Sequence, residues 1–365
     1  MRLLYTLPDF WPHVRRGSER IVHDLSMVMA ARGHDIRLVT RAPEGGGHDA
    51  RMDGFDVAYR RPPRWPQRLL GWESIEAFAL NAAAAAARSP ADVLHAFYPS
   101  DAFGMAAVTR VRRRPFILSW HGYPDRAWWR EAQPRLHRWF EYSMARADCV
   151  TVMAERSAER MREDWGIDPL VMPPGLFTED YALPRANPGH RTIVCAAALD
   201  DHRKKVAVLV RAFGLLAPRE PDLRLLLVGP GETTLVDAAL AQETEAVADR
   251  VTCLPPTAEM APIYASATVG ALTSYQEAYG MVVLEYMASG MPAVVSDDGG
   301  SPELITPGAG VAFEEGNAEA CAAALEEALR LAELPGTEEA CRRQARRYDW
   351  SERVLAYEAM YRAHA

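Results

Sequence analysis

Short apolar runs closed by turn residues alternate along this chain with longer stretches whose apolar residues recur at helical spacing, and the whole pattern occurs twice. In the first half "RLLYTL" leads into a helix expected over 18–32, with Ile21, Leu25, Val28 and Met29 on one face and Gly33 as its stop signal. "DIRLVT", "DVAYR", a helix over 72–88, "DVLHAF", a helix near 101–112, "PFILSW", a helix near 131–146, "CVTVM" and a helix over 154–164 follow. The second half runs "TIVCAAA", helix 204–217, "RLLLVG", helix 233–245, "VTCLP", helix 258–264, "VGALTS", helix 281–289, "PAVVSD", "GVAF" and helix 317–332. Strands joined through helices return parallel, so the order predicts parallel sheets with helices on both faces. The expected fold class is α/β, with two Rossmann-like, doubly wound domains facing a central cleft. Ligands of such sheets bind at the carboxyl ends of the strands, so the loops that follow strands are the ones to search.

At 365 residues the chain is long for one core and natural for two. "LPRANPGH" (183–190), with two prolines and a glycine, is the expected linker. Domains are then expected over 1–182 and 191–347, with the tail 349–365 as a last helix carrying Trp350, Val354, Tyr357 and Tyr361 on one side. The net charge of −8 argues against a general nucleic-acid binder. It is uneven, at +2 over residues 1–180 and −10 over 181–365, and Arg112, Arg113 and Arg114 read as a solvated basic face. Five scattered cysteines show neither zinc spacing nor a disulfide pattern, which fits a reducing cytoplasm. "MRLLYTLPDF" reads as a first strand rather than a signal peptide, and no run of 18 uncharged apolar residues predicts a membrane span.

The stretch "SYQEAYGMVVLEYMASGMPAVVSDDGGSPELI" (274–305) holds the densest chemistry. Glu277 and Glu285 lie eight apart, with Gly280 between them and the apolar run "MVVLEYMA" just after it. Gly290 and Pro292 stop that run, so it reads as a helix. Glu277 then sits on the strand-to-helix loop and Glu285 about one turn inside the helix. Gly280, Met281 and Val282 present the unpaired N–H groups of a helix start, which with the helix dipole make an anion site. Gly280 has no Cβ to hold a phosphate away. Carboxylates on either side accept hydrogen bonds from hydroxyls, so the set reads sugar, diphosphate and ribose in order. A plainer reading stands beside it, with Glu277 as a helix-start carboxylate and Glu285 as a surface residue. Lys204 and Lys205, in "DDHRKK" (200–205), are the only lysines among 41 basic residues. They read either as a solvated pair at a helix start or as a place that needs a compact ammonium and not a flat guanidinium.

The string 274–305 resembles the glycosyltransferases of family 4, which have the GT-B fold. Their pattern is Glu, seven residues, Glu, then a small-Gly-Pro-apolar strand and "D-x-GG-x-PE". Glu277, Glu285, "SGMPAVVSDDGG" and Pro302-Glu303 match it. Tyr279 stands where Phe is commoner. The resemblance implies that Glu277 holds hydroxyls of a donor sugar and Glu285 the nucleotide ribose. It places Lys204 on the donor diphosphate, where charge builds on the leaving nucleotide. Lys205 is expected to face solvent. Ala198 departs from the family's usual Arg, so one phosphate contact is either missing or supplied by Arg203. In the first domain, "SWHGYPD" matches the family's His-Gly, so His121 is expected to contact a hydroxyl of the transferred sugar. "Arg16-Gly17-Ser18-Glu19" stands where "GG-x-E" is common, which puts Gly17 near the donor phosphate or acceptor. Ser18 and Glu19 also fit a plain helix start with Ser18 as N-cap. "VMPPGLFTEDY" (171–181) resembles the turn at the domain crossing. Trp128, Trp129, Trp139 and Tyr123 read as core filling or as a stacking surface for an acceptor.

By this resemblance the chain is expected to be a retaining glycosyltransferase. It would move a hexose-type sugar from a nucleoside diphosphate sugar to a hydroxyl of a small-molecule, lipid or glycan acceptor. With no carboxylate clearly placed as a nucleophile, front-side displacement is the expected course. "DD" at 200–201 and 297–298 lacks the form of a metal clamp, so no metal and no cofactor beyond the co-substrate is expected. Contact with a membrane surface stays open. Another GT-B activity, an epimerase or a phosphorylase, and a silent sugar-nucleotide-binding partner are the competing readings. A hydride-transfer enzyme is disfavoured, because no GxGxxG follows the first strand.

Overall fold

The computed structural model describes residues 1–43, 46–112, 114–186 and 188–365, with backbone alone at 110–112. Arg113, the Arg112 side chain and Asn187 of the expected linker therefore lie outside the described residues. The chain divides into two compact units, Met1–Gly175 with Trp350–Ala365, and Leu176–Asp349. The division falls ahead of the 183–190 run, within the turn "VMPPGLFTEDY".

The first unit is built on an eight-stranded sheet. Its strands are β1 (Arg2–Thr6), β2 (Asp35–Arg41), β3 (His48–Met52), β4 (Phe55–Arg60), β5 (Val93–Ala96), β6 (Phe116–Trp120), β7 (Cys149–Val152) and β8 (Leu170–Val171), in the order β3-β4-β2-β1-β5-β6-β7-β8. All neighbours are parallel except β3, which pairs antiparallel with β4. The second unit has β9 (Arg191–Ala196), β10 (Leu223–Val228), β11 (Val251–Leu254), β12 (Val269–Leu272), β13 (Ala293–Ser296) and β14 (Gly310–Phe313), all parallel, in the order β11-β10-β9-β12-β13-β14. β5, β6, β12 and β13 are buried along their whole length, as continuous apolar runs in a doubly covered sheet must be.

Strand order reverses between β1 and β5 in the first sheet and between β9 and β12 in the second. The chains leaving two such strands diverge to opposite faces and open a crevice at the carboxyl edge. The loops after β1 and β5, and those after β9 and β12, therefore lie at the two places where each sheet admits a ligand.

Several expected elements are redrawn. The helix near 131–146 is two helices, Arg126–Ala132 and Pro134–Met144, because Pro134 has no N–H to continue the first. The helix of 233–245 stops at Leu240, and the one expected from 204 starts at Val206. β3 and the helices Trp65–Leu70 and Thr337–Arg346 add to the expected pattern. The terminal helix Trp350–His364 forms as expected, with Trp350, Val354, Tyr357 and Tyr361 buried. It is clamped within the first unit: Glu358 accepts from Arg32 Nη2 at 2.8 Å and pairs with His34 Nε2 at 2.7 Å, and Tyr361 accepts the Tyr5 hydroxyl at 2.8 Å and meets His95 Nδ1 at 2.7 Å.

Candidate functional site

In the second unit the site grows from the crevice between β9 and β12. After β9 the chain makes a short 3-10 turn, His202–Lys204, capped by the Asp201 carboxylate on the Arg203 N–H at 2.9 Å. Thr273, just past β12, donates its hydroxyl to the carbonyls of Lys204 at 2.9 Å and Lys205 at 3.2 Å. The Tyr275 N–H reaches the Arg203 carbonyl at 2.6 Å. These bonds fix the two loops to each other, so Lys204 lies in a turn and not in the following helix. Lys205, with φ +51°, is the N-cap residue of the helix Val206–Leu216.

So held, Lys204 Nζ meets Glu277 Oε2 at 2.7 Å, with both side chains about one-fifth exposed. Burial alone would raise the Glu277 carboxyl, but Lys204, with Ser274 and Arg203 adding to it, outweighs burial and holds it below the ordinary range. The Glu277 backbone is gripped from the loop after β13. The Gly300 N–H donates to the Glu277 carbonyl at 2.7 Å, and a Cβ on Gly299, whose φ is +77°, would stand 2.2 Å from that oxygen. The first glycine of "DDGG", Gly299, is thus required by close approach. The two aspartates are structural: Asp298 accepts the Gln276 N–H at 2.9 Å and Asp297 the Glu315 N–H at 3.0 Å.

Gly280 is the N-cap of the helix Met281–Ala288, with φ +92°, and Met281 and Val282 form its half-buried first turn. Their amides have no partner inside the helix by position. Glu285 is not a surface residue: it is 7% exposed, and Tyr264 donates its hydroxyl to Oε2 at 2.9 Å. Burial, reinforced by Glu285, pushes the Tyr264 phenol well up, so it stays a donor. Arg203, by contrast, is exposed and turned onto Asp201, Nη2 to Oδ2 at 2.7 Å. Lys205 Nζ stands 5.7 Å from the Tyr275 ring and 4.0 Å from Glu315. Ala198 is half-buried on the loop after β9.

In the first unit His121 follows β6, its ring 5.3 Å from that of Phe97. Burial pushes its imidazole down to about 4, so at neutral pH it is uncharged. Its Nδ1 is buried without a hydrogen-bond partner among the described residues. Gly17 opens the helix Gly17–Ala31 and is exposed, with nothing within 4 Å of an added Cβ. The N-cap is Arg16 and not Ser18, because buried Glu19 reaches back to the Arg16 N–H at 3.1 Å. The Arg16 guanidinium is taken up by Glu19 at 2.8 Å and Asp9 at 3.3 Å. Trp139 fills a core, Trp129 packs against it, and Trp128 is exposed.

Residues 15–180 match the family described as Glycosyltransferase Family 4, and residues 190–330 match Glycosyl transferases group 1. The chain belongs to glycosyltransferase family 4. The D-inositol 3-phosphate glycosyltransferase of Mycobacterium sp. (strain KMS) is 32% identical over 190 residues, 47% of this chain and 42% of that protein. The chain thus aligns with less than half the length of that relative. Among solved structures, sucrose-phosphate synthase from Thermosynechococcus elongatus superposes with a TM-score of 0.83 at 20% identity, over 99% of this chain and 98% of that one. HepE of Anabaena in complex with UDP-glucose gives 0.78 at 17% identity over the full length of both. The fold of this family 4 member is GT-B.

Two side chains at the sheet crevices escaped the sequence reading. Tyr264 reaches Glu285 from a helix twenty-one residues upstream, and only the unusual burial of a mid-helix Glu would have signalled it. Asp101 lies fully buried beside the end of β1, where Oδ2 accepts the Thr6 hydroxyl at 2.8 Å and the Phe97 N–H at 3.1 Å while Oδ1 has no partner among the described residues. Burial pushes its carboxyl up to about 7.

Proposed function

We propose that this family 4 protein is a retaining glycosyltransferase that moves a hexose-type sugar from a nucleoside diphosphate sugar to an acceptor hydroxyl, without a metal ion. The observation that carries the reading is the Lys204–Glu277 pair at 2.7 Å, in the same loop system as the glycine-started helix Met281–Ala288. A diphosphate against the first-turn amides would meet a single ammonium, and sugar hydroxyls would meet the carboxylate beside it. The bond from the anomeric carbon to the phosphate oxygen breaks as the bond to the acceptor oxygen forms on the same face. The acceptor proton passes to the departing phosphate oxygen. His121, uncharged at neutral pH, is suited to hydrogen bonding and not to acid catalysis. Glu285, held in place by the Tyr264 hydroxyl, presents a fixed acceptor for a ribose.

UDP-glucose, present in the HepE structure, is the first donor to try. D-Inositol 3-phosphate, from the name of the curated relatives, is the first acceptor. The test is release of nucleoside diphosphate from a panel of sugar nucleotides with EDTA present. Turnover with one donor is the expected result. Saturable binding of a donor without turnover, across the panel and with acceptors, would instead make the chain a silent binding partner, the reading that Ala198 favours.

A further inference from the structure

Between Asp56 and Glu73 the chain carries four arginines and no acid, in a protein of net charge −8. The middle of this segment is the short helix Trp65–Leu70, seated by buried Pro62 and Pro66. Its other large side chains face solvent: Leu69 is 76% exposed, Trp65 51% and Leu70 48%. Arg61, Arg64 and Arg68 are exposed around them, and no ion pair engages these three among the described residues. The surface continues through Trp72, edge-on to Trp139 at 4.8 Å, in a cluster that also holds Trp129. Trp129 in turn meets the exposed Trp128 at 5.2 Å. Arg130 and Arg138 are exposed on these neighbouring helices, with Glu73 and Glu131 as the exposed acids at the margin.

Tryptophan and leucine ringed by unpaired arginines is the composition that settles into a lipid headgroup layer. The apolar groups enter the acyl boundary, and the guanidinium groups pair with lipid phosphates while their stems lie along the apolar surface. A second copy of the chain is a poorer occupant, because a two-fold contact would set these arginines against themselves. A free phosphate has no use for the exposed tryptophan and leucines. We propose that this patch docks the first unit on an anionic membrane surface. The proposal does not rest on the transfer reaction, and its test needs no turnover.

The full chain is sedimented with vesicles of phosphatidylcholine alone or containing phosphatidylglycerol. It should sediment with the phosphatidylglycerol vesicles, less so in high salt, with a blue shift of tryptophan emission. Leu69→Ser with Leu70→Ser, and separately Arg64→Gln with Arg68→Gln, should each lower partitioning about tenfold or more. Leu355→Ser, at a leucine 49% exposed on the terminal helix, should leave it unchanged. Failure to bind phosphatidylglycerol vesicles, or binding indifferent to the patch variants, overturns the proposal. So does a dimer in solution that the paired leucine variant dissolves, which would make a second copy the occupant.

Discussion

Lys204 and Glu277 hold each other at 2.7 Å, so anything that engages one is felt by the other. In the proposed reaction, a sugar hydroxyl donating to Glu277 would loosen its hold on the ammonium as the diphosphate takes it up. Lys204→Met should lower kcat/KM by about 10²–10³-fold, the usual cost of losing a group that stabilises developing charge. Lys204→Arg should recover little of it, because a flat fork does not replace a point charge in a turn this constrained. The double variant Lys204→Met/Glu277→Gln separates chemistry from folding: it should regain stability in urea titrations without regaining turnover. The pair also sets an acid limit. Glu277 titrates lower in the folded chain than its ordinary value of 4.5, so its stabilisation is complete above that value and fades as pH falls through the folded one. Urea midpoints measured from neutral pH into acid should fall less steeply for Glu277→Gln than for the parent.

At the scale of elements, the strand–helix alternation was legible because a buried parallel strand is an apolar run and little else. What escaped it depends on contacts far along the chain. The roles of Asp297 and Asp298 come from backbone amides 18 and 22 residues away, which no local spacing encodes. The neighbours of Lys204 favour a helix, yet Thr273, 69 residues on, holds it in a turn. The alanine run 82–87, which looks like compositional drift, is a packing surface. Ala82 and Ala86 are fully buried in the helix Ser74–Arg88, and the facing helix Pro99–Arg112 comes so close that a Cβ on Gly104 would lie 2.0 Å from the Ala79 carbonyl oxygen. Gly104→Ala should therefore destabilise the protein by about 1–3 kcal/mol in urea titrations, with donor affinity unchanged.

At the scale of the whole molecule, the terminal helix belongs to the unit that the chain left at Gly175. The tail's apolar side was readable from its spacing, but its fastening was not. Hydrogen bonds from Arg32 and His34 hold the Glu358 carboxyl down to about 2. Its contribution is whole above the ordinary value of 4.5 and is lost toward pH 2. Glu358→Gln should lower the neutral-pH Tm by about 2–4 °C, and the gap from the parent should close as the pH approaches that limit. Deeper in, Tyr361 reaches His95, which continues through Ser119 at 2.6 Å to Thr151 at 2.6 Å, a buried polar chain crossing β5, β6 and β7.

The second unit begins at Leu176 and ends at Asp349, and those two residues are bridged side by side, with the Leu176 N–H on the Tyr348 carbonyl at 2.9 Å. Its entry and exit are a single doorway. A cassette whose two ends lie side by side can be replaced by rejoining the chain at two adjacent points, so a chimera that swaps the half carrying Lys204 and Glu277 leaves the other half its own surface.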